Sequence, residues 1–227
     1  MAARPQRRRT ARPMFTDRLQ AAERLADALA HYRGSHPLVL AIPRGAVPIG
    51  AVLAHRLAGE LDLVLVRKLH APHSPEFAVG AIDEAGWTYV APHAAAVGAA
   101  PSFIEEQRQD QLQELARRRQ LYTPGRGPAD AAGRVVIVVD DGLATGATMV
   151  AALHAVRERA PARLVCAVPV ASPEAVELVG QHCDEVVCLD APAGFAAVGQ
   201  FYASFPQLED AEVVALLAGF GKERADP

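Results

Sequence analysis

Cysteine and aromatic residues are scarce in this sequence, and long apolar runs are missing. The three cysteines, Cys166, Cys183 and Cys188, have no paired spacing, so reduced thiols are expected rather than a disulfide framework or a metal site. No stretch of about 20 apolar residues exists that could cross a membrane. The first residues lack the apolar segment of a secretory signal. We therefore expect a cytoplasmic protein with no membrane partner.

The chain also lacks a strong excess of one charge, since its formal net charge is −3. This balance argues against a surface that binds nucleic acid in general. Residues 1–13 are the exception, because they carry five arginines and no acid. We predict a basic, disordered tail here, which is a leader, the product of a mis-called start codon, or an arm that contacts nucleic acid. Residues 14–227 have the length of one domain, and a hydrophobic content of 51% is ample for a core.

Apolar segments with strand-like and helix-like spacing alternate along the chain. This order predicts an α/β fold, with a doubly wound, mostly parallel sheet of about five core strands and flanking helices. The core strands are predicted over residues 38–42, 61–66, 135–139, 164–170 and 185–189. The helices are predicted over residues 17–32, 47–57, 101–121, 147–159, 174–181 and 208–217. Two short strands, 78–82 and 87–90, are predicted to form a hairpin.

The most informative segment reads VVIVVDDGLATGAT and covers residues 135–148. Its β-branched run predicts a buried strand, and Asp140 and Asp141 follow at the carboxyl end, where open α/β sheets bind ligands. The small-residue loop then enters a helix whose first N–H groups attract phosphate, and Thr145 and Thr148 add hydroxyl donors. Because carboxylates repel phosphate, the acid pair suits sugar hydroxyls, or a metal ion that itself holds phosphate. A phosphorylated sugar presented with magnesium satisfies all of these features.

This segment resembles the motif with which type I phosphoribosyltransferases bind phosphoribosyl pyrophosphate (PRPP). The resemblance implies that Asp140 and Asp141 bind the ribose 2- and 3-hydroxyls and contact Mg²⁺, directly or through PRPP and water. It also implies that the following loop wraps the substrate and its 5-phosphate, through Gly142, Ala144, Thr145, Gly146, Ala147 and Thr148. In the hypoxanthine–guanine branch of the family, an aspartate that acts on the base stands at the position of Ala144. The present run Leu-Ala-Thr-Gly instead looks like the adenine branch.

Two other segments resemble the pyrophosphate-binding residues of that family. In the turn Pro43-Arg44-Gly45, Arg44 offers a fork of donors and Gly45 permits close backbone approach. The resemblance implies that the peptide bond between Pro43 and Arg44 is cis. Arg67 and Lys68 end the second predicted strand, at the same edge of the sheet. Lys68 is the preferred pyrophosphate ligand, while Arg67 points either to the substrate or into a helix layer.

The same resemblance divides the domain into parts. Residues 70–133 are interpreted as an insertion that includes the family's flexible catalytic loop. Its histidines, His70, His73 and His93, match no metal-ligand spacing. Residues 14–33 and 191–206 are interpreted as a small hood that selects the acceptor. The hood's aromatic residues either stack on a base or form a satellite core; they are Phe195, Phe201, Tyr202 and Phe205.

We predict an enzyme that transfers the 5-phosphoribosyl group of PRPP to a nitrogenous base or amine, releases pyrophosphate, uses Mg²⁺ and forms a homodimer. Its predicted catalytic residues are Arg44, Lys68, Asp140 and Asp141. One alternative is a non-catalytic regulator that senses PRPP and uses its basic tail on nucleic acid. Another is a hydrolase or phosphatase acting on phosphorylated sugars, for which no general base or nucleophile is evident.

Overall fold

The core of the protein is a five-stranded parallel sheet, seen in a computed structural model that describes residues 13–223. The predicted tail, residues 1–13, lies outside the described residues except for Pro13. The strands are β1 (Leu38–Ala41), β2 (Glu60–Leu63), β6 (Val135–Val139), β7 (Arg163–Val170) and β8 (Glu185–Asp190). Their order in the sheet is β2-β1-β6-β7-β8, and every neighbouring pair is parallel. The predicted mostly parallel α/β sheet is confirmed.

Helices cover both faces of this sheet, as expected of a doubly wound fold. They are α1 (Arg18–Ala28), α2 (Val47–Arg56), α3 (Pro101–Tyr122), α4 (Ala147–Arg157), α5 (Pro173–Gly180) and α6 (Asp210–Glu223). One buried cluster joins α1, α2, α3 and α6 to the sheet, and a second cluster joins α4 and α5 to it. None of the helices within residues 13–223 is long and apolar enough to span a membrane.

A second, antiparallel sheet packs beside the parallel one and corrects one prediction. It consists of β3 (Val66–Ala71), β4 (Ser74–Asp83) and β5 (Thr88–Val90), and the predicted hairpin is present as β4 and β5. The strand predicted over residues 61–66 is present but ends earlier, because β2 stops at Leu63 and the chain enters the second sheet at Val66. Residues 61–66 are buried throughout, so apolar patterning cannot reveal a break between two strands. Arg67 and Lys68 therefore belong to β3 and not to the carboxyl end of a parallel strand.

Buried ion pairs tie this second sheet and α3 to the edge of the core. Arg119 on α3 donates to Glu84 (Nε to Oε2, 2.9 Å) and to the carbonyl of Leu63 (3.2 Å). Asp62 on β2 lies 3.7 Å from the Arg119 guanidinium and accepts a hydrogen bond from the Ala129 N–H (2.6 Å). Charged groups are rarely buried unless they are paired in this way. The network links α3 and the residue that follows β4 to the edge strand β2 of the parallel sheet.

The hood residues form a satellite core on the carboxyl side of the sheet. Phe15 pairs with Tyr202 in an isolated parallel bridge, and their ring centroids lie 5.4 Å apart. Tyr202 stacks on Phe205 at 4.8 Å, and Phe195 contacts Phe201 at 5.1 Å. The structure therefore supports the satellite core, and not base stacking, for these aromatic residues. This core covers the carboxyl ends of the strands.

Candidate functional site

A cavity of about 600 Å³ opens at the carboxyl ends of β1 and β6. Open α/β sheets bind ligands at this edge because the strand-to-helix loops converge there. The core sheet, the second sheet and the hood all contribute to its wall. The lining residues are Ile42, Pro43, Gly45, Lys68, Phe77, Ala78, His93, Asp140, Asp141, Gly142, Leu143, Ala144, Thr145, Gly146, Thr148, Met149 and Val198.

The loop after β6 has the construction of an anion-binding turn. Gly146 has a φ of 77°, a left-handed conformation that glycine adopts without steric cost, and it begins α4. The first N–H groups of α4 have no partner within the helix. The loop is held in place by a hydrogen bond from the Ser172 hydroxyl to the Ala144 carbonyl (2.8 Å). The Thr148 hydroxyl is buried and has no hydrogen-bond partner among the described residues, which leaves it available to a ligand.

Asp140 and Asp141 lie side by side at the tip of β6, and the Asp141 N–H donates to Asp140 Oδ1 (2.8 Å). Burial raises the pKa of Asp140, and the adjacent Asp141 charge raises it further. Burial also raises the pKa of Asp141, although the Arg18 guanidinium opposes this increase. Lys68 lines the same cavity, and its positive charge opposes the increase in the pKa of both carboxyls. The pair offers carboxyl oxygens that accept from hydroxyls and bind cations, and a bound cation would oppose the increase in both pKa values.

Arg18, in the first turn of α1, makes the closest ionic contact with this pair. Its Nε and Nη2 lie 3.0 and 2.8 Å from Asp141 Oδ2. Sequence reasoning did not single out Arg18. The signal that could have found it is its helical spacing with Ala21, Ala22 and Leu25, which places a charged residue on the buried face of α1.

The turn after β1 brings its glycine, but not its arginine side chain, to the cavity. The Pro43–Arg44 peptide bond is cis, as the resemblance implied. A Cβ atom on Gly45 would lie 2.0 Å from Asp141 Oδ2, so only glycine fits beside this carboxylate. The Arg44 guanidinium instead lies 3.5 Å from Glu209 and 3.6 Å from Asp210, near the start of α6. The expected fork of Arg44 donors does not line the cavity in this conformation.

Lys68 and Arg67 point in opposite directions, as consecutive residues of a strand do. Lys68 lines the cavity, whereas Arg67 Nε donates to Gln111 on α3 (2.8 Å). Burial lowers the pKa of Arg67. Of the two alternatives considered for Arg67, the structure places it in the helix layer. Phe77 and His93, in edge-to-face contact at 5.3 Å, complete the wall on this side and were not predicted as site residues.

The hood leaves no room for a side chain at position 142, which accounts for the glycine there. A Cβ atom there would lie 2.6 Å from Val198 Cγ1 and 3.1 Å from the Val170 carbonyl oxygen. Val198 therefore occupies the space that a larger residue at position 142 would need. Ala144 and Thr145 line the cavity, but neither carries a group that could exchange a proton with a base near pH 7.

Asp140 and Asp141 are the carboxylates at the cavity that could hold a magnesium ion. Within residues 13–223, no group of three or more His, Cys, Asp or Glu side chains is arranged to hold a metal. Mg²⁺ in proteins is often bound by one or two carboxylates together with substrate phosphates and water. Asp140 and Asp141 fit that mode, in which the substrate brings most of the ligands.

The geometry and the sequence comparisons lead to one family. Residues 15–203 match the family model of the phosphoribosyl transferase domain, and the chain belongs to this family. A Thermus thermophilus protein of known crystal structure is 46% identical in sequence to this chain and superimposes on it with a TM-score of 0.76. The match covers 91% of this chain and 98% of that one. The family suggested by the resemblance is therefore confirmed.

Two relatives differ from this chain in length. A Mycobacterium tuberculosis H37Rv protein, provisionally named a phosphoribosyl transferase, is 41% identical over 207 residues, which cover 90% of this chain and 46% of that protein. The chain thus spans about half the length of this curated relative. The adenine phosphoribosyltransferase of Rhodospirillum centenum is 32% identical over 117 residues, which cover 48% of this chain and 66% of that protein.

Proposed function

We propose that the protein transfers the 5-phosphoribosyl group of PRPP to the nitrogen of a base or amine and releases pyrophosphate. The observation that carries this proposal is the pairing of a half-buried acid pair with a loop built like an anion-binding turn across one cavity. Asp140 and Asp141 accept from hydroxyls, while the Thr148 hydroxyl and the start of α4 face an anion. A sugar phosphate with free ring hydroxyls matches both halves at once.

In this proposal, each part of the site acts on one part of the substrate. The loop from Ala144 to Thr148 holds the 5-phosphate, and Asp140 and Asp141 hold the ribose hydroxyls. The nitrogen lone pair of the acceptor forms the bond to the anomeric carbon, and the bonding pair to pyrophosphate leaves with that group. The acceptor nitrogen then loses its proton to solvent. Gly45 and Lys68 face the leaving pyrophosphate, and the Lys68 charge offsets the negative charge that develops there.

Magnesium has a defined place in this proposal. Asp140 and Asp141 would hold the ion together with substrate oxygens and water. The ion would neutralise negative charge on the pyrophosphate. Arg44 would join the pyrophosphate only by leaving its contacts with Glu209 and Asp210. A cytoplasmic location and a homodimeric state remain predictions from the sequence.

The acceptor is proposed only as a nitrogen nucleophile. The adenine phosphoribosyltransferase relative and the run Leu-Ala-Thr-Gly favour a base of the adenine type. The wall around the acceptor is built from Phe77, His93 and Val198, which offer an aromatic surface, an imidazole and an aliphatic contact. A screen of bases and amines for PRPP-dependent pyrophosphate release would name the acceptor.

The first test of the proposal is PRPP binding measured by calorimetry with Mg²⁺ present. The wild-type protein is expected to bind PRPP, and a variant combining Asp140→Asn with Asp141→Asn is expected to lose detectable binding. The amides keep the shape of the pair but cannot provide the charge-assisted hydrogen bonds of carboxylates. As a control, Asp130→Asn alters an exposed carboxylate that accepts a hydrogen bond from the Ala132 N–H. Equal PRPP affinity in the wild type and the doubly substituted variant would end the proposal.

A second candidate is a PRPP sensor that does not turn over its ligand. The position of Arg44 favours it, because the guanidinium is held by Glu209 and Asp210 and does not line the cavity. A sensor binds PRPP and releases no pyrophosphate with any acceptor of the panel. An enzyme releases pyrophosphate with at least one.

A further inference from the structure

One oxygen of Asp141 is held by Arg18 and lies against Gly45. Arg18 Nε and Nη2 both donate to Oδ2, at 3.0 and 2.8 Å. Gly45 lies so close on another side that a Cβ atom would come within 2.0 Å of the same oxygen. Because Oδ2 already accepts two hydrogen bonds from Arg18 and lies against Gly45, Oδ1 is the oxygen of Asp141 that is left for a substrate hydroxyl.

The Arg18 guanidinium is itself held in one orientation. Its Nη1 donates to the Pro206 carbonyl (2.7 Å), and its plane lies over the Phe205 ring with Cζ 3.7 Å from the centroid. The side chain is 10% exposed. A planar guanidinium bound on its edge and on its face has little freedom to rotate. It therefore defines the direction in which the Asp141 carboxylate points.

The hood also holds the main chain of Asp141. The Tyr202 hydroxyl donates to the Asp141 carbonyl (2.7 Å), and Tyr202 stacks on the same Phe205 ring that lies under Arg18. Both ends of Asp141 are thus fixed by hood residues, although the residue belongs to the β6 loop. The same hood wall reaches the cavity through Val198.

We infer that Arg18 is a positioning residue of the ribose site, which fixes Asp141 through Oδ2 and directs Oδ1 at the sugar. The hood then has two roles, because it forms the roof of the acceptor pocket and completes the grip on the ribose. This inference rests on the proposed function, since it requires that the acid pair binds a ribose. It predicts that residues outside the PRPP motif control PRPP affinity.

The test is a double-mutant cycle on PRPP affinity, measured by calorimetry with Mg²⁺. Arg18→Met keeps the apolar stem and removes the guanidinium, so PRPP affinity is expected to fall at least tenfold. Arg18→Lys keeps the charge but loses the two-donor contact, and an intermediate loss is expected. Asp141→Asn and the combined Arg18→Met, Asp141→Asn variant complete the cycle. If Arg18 acts through Asp141, the combined variant binds PRPP within twofold of Asp141→Asn alone.

Arg24→Met is the matched control. Arg24 lies on the same helix and also has its guanidinium over an aromatic ring, 4.9 Å from the Phe15 centroid, but it is exposed and does not line the cavity. It should bind PRPP as the wild type does. If Arg18→Met fails to fold, the lysine variant and the combined variant, which removes both buried charges together, decide the question.

The outcomes separate this inference from the proposed function. The positioning role would be overturned if Arg18→Met bound PRPP with wild-type affinity. It would also be overturned if the losses of affinity in Arg18→Met and Asp141→Asn multiplied in the combined variant. Either result would leave the proposed function intact. A wild-type protein that binds no PRPP would overturn both. A shared loss in the single variants with no further loss in the combined variant supports the inference.

Discussion

Replacing Gly45 by alanine tests the architecture of the site with a single methyl group. The added Cβ would lie 2.0 Å from Asp141 Oδ2, 2.9 Å from its Cγ and 3.2 Å from Arg18 Nη2. Real Cβ contacts are essentially never shorter than 3.0 Å, so the carboxylate oxygen has to move by about 1 Å. That movement cannot be absorbed on the far side, because Arg18 is held by Pro206 and Phe205.

The size of the effect follows from these contacts. Forcing an extra carbon into a packed site costs about 1–3 kcal/mol. For a chain of this length, that corresponds to a decrease in Tm of roughly 2–12 °C. Loss of one charge-assisted hydrogen bond from Asp141 to the sugar costs about 1.5–3 kcal/mol, which lowers PRPP affinity roughly 10- to 100-fold.

Calorimetry with PRPP and thermal unfolding measure the two effects separately. Gly127→Ala is the matched control, because a Cβ atom at that loop position meets nothing within 4 Å. The control should keep both the wild-type affinity and the wild-type Tm. Unchanged PRPP affinity in Gly45→Ala would show that the Asp141 carboxylate is not part of the ligand site.

Two further predictions concern the loop and the α3–α6 contact. Thr148→Val should lower PRPP affinity about 10-fold or more, because a hydrogen bond to the phosphate is lost. The free energy of unfolding should stay equal or rise, because the buried hydroxyl has no partner among the described residues. Thr123→Val is the comparison variant, because the Thr123 hydroxyl donates to the Arg119 carbonyl (3.2 Å). It should lose stability in a urea titration and keep its PRPP affinity in calorimetry. Loss of affinity in Thr123→Val together with loss of stability in Thr148→Val would refute the assignment. Burial, and then the hydrogen bond to Asp210, raise the pKa of Tyr122 to about 12. An unfolded tyrosine loses its proton near pH 10, so stability should fall by up to about 2 kcal/mol between pH 10 and 12. Tyr122→Phe should show a smaller decrease over that range in denaturant titrations, and parallel curves would contradict the raised pKa.

The motif from Val135 to Thr148 could be predicted because its information is local. A β-branched run forms a strand, Gly146 adopts the left-handed turn and the helix follows within a few residues. Interactions between residues so close in sequence are set by backbone sterics and propensity, so a short stretch suffices to predict them. The acid pair at the strand end follows from the same order.

The errors in the prediction all involve contacts between distant residues. The break between Leu63 and Val66 is invisible in the sequence, because residues 61–66 are buried on both sides of it. The Arg44 side chain was expected at the cavity, yet carboxylates 165 and 166 positions later in the chain hold it elsewhere. No periodicity encodes a partner at that separation.

The sequence alone determined the parallel α/β sheet, the family and the acid pair above an anion-binding loop, since each depends on residue order within one strand–loop–helix unit. Tertiary structure decided which cations lie at the cavity. It brought Lys68 to the cavity on a strand of the second sheet, turned Arg67 into the helix layer and placed Arg18, 123 residues away, against Asp141. The physical reason is that a charge interacts through space, and only folding brings charges from remote segments within a few ångströms of each other.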